Sequence, residues 1–537
     1  MSRKRNLLLL VLIVALIAGC GGSDKEPAKE AVSGEPSGGS GTFVRALNTE
    51  PGRIDPQGVA SSGLTLVLPY IFDTLIIHDL DGSVHPLLAE SWQVSEDGTE
   101  ITFKLKENVT FHDGTPLNAE AVKFTFERFK EAGIMSPIYD SVQQIASIEV
   151  VDDLTVRFNF DQPAISFWSV IGMPFAGIIS PESAKRVEET GEGHLVGTGP
   201  FMLDSWQTGQ ALTLKRNPDY AWGPPLVQNQ GPPHLEKMVF KIIPDDATQL
   251  VALETGEVDM IFVNQPNHLV KLKQDPNIHL EQALLGSLVY LGFNCQKAPF
   301  DETLVRQALS HAVNKEEIMD LALGGIGQTA FAPLPPMVPG FDLSLSEYEL
   351  GYDPQKAQEL LAEAGFEQKD DGTWERGGQP LKAVLVTSTR APNEAIATVL
   401  QSQLKAIGVP VEIQQLDTRA VMLASNKGEF DLLLWRYSWN DADALNIFLA
   451  TDAIGRGNRV AFSNPEVDAL LAQGAQELDE TTRLQLYLEA QKLILQEAPW
   501  QPLYIPIDVM AVNKRVQDVK FGYMGRMFLN DAQIADQ

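Results

Sequence analysis

In the second half of the chain, helix starts and strands alternate, and this alternation restricts the fold more than any other feature. Asp353-Pro354 and Asn464-Pro465 each set a capping side chain directly before a proline, whose missing N–H costs nothing at the first helical position. Asn314 with Glu317 has capping-box spacing ahead of "EEIMDLAL" (316–323). Between these starts run "LKAVLVTS" (381–388), "PVEIQQL" (410–416) and "FDLLLW" (430–435), each with strand character. Strands alternating with helices predict an α/β body over about 286–496. The first half is mixed. "TFVRAL" (42–47) reads as a strand, and Asp81-Gly82, Asp97-Gly98 and Asp113-Gly114 as turns, with "TEITFKLK" (99–106) alternating between the last two. Asn118 caps a helix that carries Val122, Phe126 and Phe129 on one face. The extended, proline-punctuated segment "PLYIPIDVMAVNKRVQDVKF" (502–521) is expected to return to the first body.

A chain of 537 residues, 44% of them apolar, can bury several cores and divides into two to four domains. Its 71 acids against 41 bases leave a formal charge of −30, a field that repels nucleic acid and anionic lipid. Two cysteines, Cys20 and Cys295, exclude a disulfide framework. Arg3, Lys4 and Arg5 precede the apolar run Leu7–Ala18, which is too short to span a bilayer as a mature helix and reads as a secretion signal. Ile17-Ala18-Gly19-Cys20 resembles a bacterial lipobox, so residues 1–19 are expected to be removed and Cys20 lipidated, anchoring the chain to a membrane. Residues 21–42 carry almost nothing apolar and form a tether with a reach of about 25 Å. Cys295, in "LGFNCQ", reads as a small core residue.

Catalytic and metal chemistry find no carrier. There is no H-E-x-x-H and no G-x-x-x-x-G-K-[ST], and the eight histidines are scattered with no H-x-x-x-H pair. No catalytic residue, metal ligand or cofactor is assigned. The stretch "LLLWRYSWNDADALNIFL" (432–449) is the informative one, because a buried strand runs into Trp435, Tyr437 and Trp439 and then Asn440, Asp441 and Asp443. Indoles and carboxylates at a strand end suit a ligand: an indole face stacks on apolar or cationic groups, and ligands gather beyond strand carboxyl ends. Asp441 and Asp443 equally suit the cap of a helix starting near Ala444.

Seven stretches together resemble the family 5 extracellular solute-binding proteins of ABC importers. These are "LAESWQVSEDGTEITFKLKENVTFHDGTPLNAEAVKFTFER" (88–128), "GTGPFMLDSW" (197–206), "KRNPDYAW" (215–222), "LETGEVDMIF" (253–262), "PFDETLVRQALSHAVNKEEI" (299–318), "YDPQKAQELLAEAGF" (352–366) and "APWQPLYIP" (498–506). The resemblance implies an α/β, two-lobed periplasmic-binding-protein-like fold (class II, cluster C) with an extra subdomain. One subdomain of the first lobe would take 43–57, 191–276 and 497–537, and the other 58–190; the second lobe would take 277–496, with crossings near 277–290 and 490–500. It also implies a non-enzymatic lipoprotein at the outer face of the cytoplasmic membrane. Such a protein is a monomer that captures a small organic solute, foremost a di- or oligopeptide, and passes it to a permease and its ATPase. Opines, sugars and metal chelates stand behind peptides; a hydrolase on the same anchor, or a receptor without an importer, are the rival classes.

Family peptide binders carry a Trp after this strand, an Asp three residues later for the peptide ammonium, and then Asp-Pro-Asp. Trp435 fits the Trp and Asp441-Ala442-Asp443 the acidic pair, which puts Ser438 where the ammonium-binding Asp belongs. Tyr437, Trp439 and Asn440 complete the expected ligand turn. Ser61 and Ser62, in "GVASSGLT" (58–65), correspond to a loop that offers backbone and hydroxyl groups, and Arg390, between a strand and a helix, is placed to meet an anion.

Overall fold

The computed structural model describes residues 41–58, 61–79, 82–131, 136–191, 193–522 and 526–535. The leader, Cys20 and nearly all of the tether lie outside these residues. Among the described residues three larger sheets form. A seven-stranded sheet has the order Ile278–Leu284, Ile507–Asn513, Met260–Phe262, Thr42–Leu47, Lys237–Ile242, Ala211–Arg216, Phe201–Gln207. Its central strand Thr42–Leu47 pairs parallel with Lys237–Ile242 and, through Arg45, with Met260. A six-stranded sheet runs Gln328–Thr329, Trp500–Ile505, Ser287–Phe293, Leu432–Ser438, Ala383–Ser388, Val411–Leu416. The third is an antiparallel four-stranded sheet from Ala89–Val94 to Ile145–Asp152.

The helix starts read from sequence are built as expected. Asp353 Oδ1 accepts from Lys356 N at 2.9 Å, and Asn464 Oδ1 from Glu466 N at 2.9 Å. Asn118 Oδ1 accepts from Ala121 N at 3.0 Å, so Val122, Phe126 and Phe129 are turned onto the four-stranded sheet and fully buried. There Phe126 meets Phe158 edge-on at 5.0 Å, and Phe158 meets Phe103 edge-on at 5.7 Å. The capping box at Asn314 is only half closed. Its Oδ1 accepts from Glu317 N, but the Asn314 N–H donates to Gln403 Oε1 at 3.2 Å, and Glu317 accepts from the same Gln403 amide. A tertiary partner has replaced the local one.

Two of the resembling stretches, "GTGPFMLDSW" and "KRNPDYAW", converge on one buried carboxylate. Asp73 Oδ2 accepts from Thr198 Oγ1 at 3.0 Å and Trp222 Nε1 at 3.0 Å, and its Oδ1 accepts from Tyr220 OH at 3.5 Å. Burial pushes the Asp73 carboxyl above its ordinary range against these donors. Gly197 and Gly199 are obligatory here, since a Cβ would stand 2.3 Å from the Ile71 carbonyl oxygen and 2.4 Å from that of Tyr70. His112 ties the same segment down: its backbone N–H donates to Gly197 O and its Nε2 bonds Gly199 O, each at 2.9 Å.

The passages between the two large sheets depart from expectation on one side. Ile278–Leu284 pairs along its length with Ile507–Asn513 in the first sheet, whereas Trp500–Ile505 pairs with Ser287–Phe293 in the second. The chain therefore crosses at Leu285–Gly286 and at Pro506, not near 490–500: the strand after Ala498 extends the second sheet before returning. The bodies also touch directly. Asn440 Nδ2 donates to the Ser169 carbonyl, and Leu478 lies against Gly98.

Two outcomes are expected. Asp73→Ala strands three buried donors at about 1–3 kcal/mol each, so denaturant unfolding should show a loss of at least about 3 kcal/mol. Burial lowers His112 to about 4. A base depressed in the folded state stabilises fully above its unfolded value of roughly 6.5, and that contribution is lost as pH falls toward 4. Stability measured from pH 7 to 4 should fall by up to about 3 kcal/mol on this account, and His112→Gln should flatten that part of the profile.

Candidate functional site

Between the seven-stranded and six-stranded sheets lies a gap of about 880 Å³, a volume in the range of organic-ligand sites. The first sheet contributes the carboxyl ends of its parallel strands: Asn48 after Thr42–Leu47, Pro244 after Lys237–Ile242, and Asn264 after Met260–Phe262. The second contributes the turn Thr389–Pro392 beyond Ala383–Ser388, together with Arg436 and Tyr504. The returning passage Pro506–Asp508 forms one wall. This is where open α/β sheets gather ligands, beyond strand carboxyl ends.

The second-sheet wall of the gap is cationic. Arg390 and Arg436 are both exposed, yet Arg436 is crowded enough that burial, followed by the like charge of Arg390, lowers its affinity for its proton. Asp508 opposes them, its carboxyl raised by burial against the pull of Arg436 and Arg45. Across the gap, Asp245 caps the helix Asp246–Glu254 through Thr248 N at 2.8 Å, and Asp246 accepts from Asn264 Nδ2 at 3.2 Å. A ligand with an anionic end on the arginines and a polar or cationic end toward Asp246 matches this arrangement.

The aromatic and acidic turn is divided between several surroundings. Side chains alternate along Leu432–Ser438, so Leu432, Leu434 and Arg436 share one face and Leu433, Trp435 and Tyr437 the other. Tyr437, expected to touch ligand, is instead a core residue 3% exposed, with its hydroxyl donated to Pro333 O and its ring 4.9 Å from Phe448. Trp435, also on the face opposite Arg436, is half-buried with the Arg459 guanidinium 5.2 Å over its ring. Ser438 Oγ bonds Ser287 Oγ at 2.6 Å, spanning neighbouring strands.

Asp441, 9% exposed, accepts from Arg483 Nη2 and from Asp443 N within the second lobe. Asp443 accepts from Asn446 Nδ2 at 2.7 Å and Tyr487 OH at 3.1 Å, its carboxyl raised by burial and by Asp441; it precedes the helix Ala444–Leu449 without capping it by side chain. Both carboxylates are thus engaged inside their own lobe. Trp439 and Asn440 do reach the other lobe. Trp439 packs on the cores of both lobes and Asn440 bonds Ser169, and neither Trp439 Nε1 nor Asn440 Oδ1 has a partner among the described residues.

Ser61 caps the helix Ser62–Ile71 by accepting from Leu64 N at 3.2 Å, and Thr65, one turn on, lines a second cavity of about 110 Å³ that Asn440 also lines. Of Ser62 only the backbone is described. Arg390 stands in the gap as the strand-to-helix position suggested. Cys295 is half-buried beyond its strand, its thiol pushed up to about 12 by burial, and has no part in the gap.

Sequence reasoning missed Arg436, Arg45 and Arg526. A signal existed for two of them: in "LLLWR" and "TFVRAL" an arginine falls on the row of alternate apolar residues, Leu432-Leu434-Arg436 and Phe43-Arg45-Leu47. A charge on a core-facing row calls for a reason. Arg526 directly precedes the short strand Met527–Phe528 and gave no such signal.

Against known families, residues 83–456 match the bacterial extracellular solute-binding proteins, family 5. The chain belongs to this family. Its role is substrate binding outside the cytoplasm, on the family's two-lobed α/β fold. It is 29% identical to heme-binding protein A of Haemophilus influenzae, over 99% of this chain and 98% of that one. It is 30% identical to di/tripeptide-binding protein 2 of Pseudomonas aeruginosa, over 82% and 85% respectively. Among solved structures, the Helicobacter pylori periplasmic binding protein DppA in complex with the peptide STSA superposes with a TM-score of 0.75 at 28% identity, covering 92% of this chain and 98% of that one. NikA from Brucella suis in complex with Fe(III)-EDTA gives 0.80 at 26% identity, covering 90% and 97%. These relatives are binding proteins.

Engagement of Asp441 by Arg483 predicts a structural role for this solute-binding protein's acidic turn. Asp441→Ala leaves the Arg483 charge buried without its partner and should lower stability by about 3–5 kcal/mol in denaturant titration.

Proposed function

We propose that this protein is the lipid-anchored receptor of an ABC importer and holds a small organic solute, foremost a di- or oligopeptide, in the gap between its two large sheets. The observation that carries the reading is the pair Arg390 and Arg436, solvent-accessible in a gap of about 880 Å³ at strand carboxyl ends. A peptide offers one terminal carboxylate for that wall and an ammonium for Asp246 opposite. The relatives named for peptide binding favour this class, and the lipobox-like Ile17-Ala18-Gly19-Cys20 supports an anchor. Membrane attachment through Cys20, a monomeric state, and domains at 43–57, 191–276 and 497–537, 58–190, and 277–496, adjusted for the passage at Pro506, belong to the same reading. No bond is made or broken: ligand contacts made by both lobes favour the closed form, and a permease that distinguishes closed from open then accepts only loaded receptor. An affinity near micromolar, about −8 kcal/mol, allows both capture and release.

A second reading, a non-peptide organic acid, is favoured by one observation. Ser438 offers no charge and both nearby carboxylates are engaged, so the 438–443 turn lacks a free partner for an ammonium.

Native mass spectrometry of undialysed protein is expected to show a retained solute. Arg390→Ala and Arg436→Ala should each weaken its binding at least about tenfold, the worth of a charge-assisted hydrogen bond, while leaving thermal unfolding nearly unchanged. Unaltered affinity in both variants would remove the gap from the site.

A further inference from the structure

The cavity of about 110 Å³ lies between the lobes beside the main gap and is walled mostly by apolar side chains, Met173 and Phe175 among them. Two arginines, Arg45 and Arg526, also line it. Arg45 is 1% exposed, and its Nε and Nη2 have no hydrogen-bond partner among the described residues. Its Nη1 donates to the Met527 sulfur at 3.7 Å, the guanidinium is hydrogen-bonded to the Tyr70 hydroxyl, and it lies 4.8 Å from the centre of the Phe262 ring. No carboxylate among the described residues comes within 4.0 Å of either guanidinium. The Tyr70 hydroxyl sits in the field of both.

A buried cation without a counter-ion costs several kcal/mol, and a fold keeps it only where something else neutralises it. Water in the cavity would satisfy N–H groups but would leave the charge. Two acids act on these cations from beyond contact distance, Asp508 on Arg45 and Asp73 on Arg526, and each is shared with other partners. Asp508 lies in the field of Arg436 as well as Arg45, and Asp73 already accepts from Thr198 and Trp222. Asn440 comes from the second lobe, so the cavity is complete only while that lobe is docked, with Asn440 bonded to Ser169.

We propose that this cavity is an acid pocket, in which Arg45 and Arg526 take the carboxylate of a ligand whose apolar arm lies against Met173 and Phe175, with Asn440 closing over it. This rests on the reading that the protein captures a solute between its lobes, and it narrows that solute to one bearing, besides the anionic end at Arg390 and Arg436, a carboxylate on an apolar arm. Closure and neutralisation are then coupled, because the docked lobe seals the charge away from water only when an anion accompanies it.

The test uses the full chain in detergent with butyrate, hexanoate, their amides and inorganic phosphate as probes, read by calorimetry and thermal unfolding. The acids should bind wild type about ten- to a hundredfold more tightly than the amides, hexanoate at least as well as butyrate, and phosphate weakly. Arg45→Met should abolish the preference for acid over amide, while its ligand-free unfolding temperature stays the same or rises, since an unpaired buried charge has been removed. Arg45→Lys should keep part of the preference. Should Arg45→Met fail to fold, Arg45→Lys and Arg526→Met carry the comparison. Equal binding of acids and amides, undiminished acid binding in Arg45→Met, or phosphate matching hexanoate would each overturn the pocket. Mass spectrometry of the solute retained by the same wild-type preparation separates the two claims: a retained solute with a failed pocket leaves solute capture standing, whereas no retained solute and no probe binding removes both.

Discussion

The two lobes are joined by a single antiparallel ribbon, and the geometry of the gap depends on it. Ile278–Leu284 and Ile507–Asn513 pair in the first sheet; a few residues on, Ser287–Phe293 and Trp500–Ile505 pair in the second. Between them the ladder thins to one backbone bond, Leu285 N to Pro506 O at 3.2 Å. Proline has no N–H to donate, so the crossing cannot be stiffened from that side. Each lobe is a rigid sheet with its own core, and the narrow crossing is where rotation is least costly. The same strands carry the residues that face the gap: Tyr504, Pro506 and Asp508 lie along the return passage itself.

On that frame the distribution of charge is uneven in an informative way. The chain as a whole is strongly acidic, yet Arg390 and Arg436 line the gap and Arg45 and Arg526 the cavity beside it. The acidic exterior repels anions at long range, but screening confines that field to about 8 Å at physiological salt. Inside the crowded interlobe space local charges decide. Asp508 lies in the field of both groups, Arg436 on one side and Arg45 on the other, and offsets part of their charge. A bound anion would complete the neutralisation, which gives the lobes a reason to prefer the docked arrangement when loaded.

Much of the scaffold was legible because local chemistry and the tertiary solution agree. Asp353, Asn464 and Asn118 cap helices in the structure as their spacing suggests, since a cap needs only partners two or three residues away. The strand "TFVRAL" is Thr42–Leu47 to the residue. The half-closed box at Asn314 marks the limit of such reasoning: Gln403, far off in sequence, bonds both Asn314 and Glu317. The turn after Leu432–Ser438 was legible as unusual but not as to purpose. Its Trp, Tyr and Asp side chains all looked suited to a ligand, yet a strand sends neighbours to opposite faces, and only the packed sheet tells which face is the gap. Arg436, between two conspicuous aromatics, took the gap face, and Tyr437 went to the core.

The sequence by itself determined the family, the alternation of strands and capped helices, and the acidic balance of charge, because each is written in local composition or short-range spacing. Tertiary structure decided where the chain crosses between sheets, that Arg483 occupies Asp441, and that arginines from distant segments share the interlobe space. Those outcomes depend on which residues meet across long loops, and hydrogen bonding and charge at that range are set by packing rather than by neighbours along the chain.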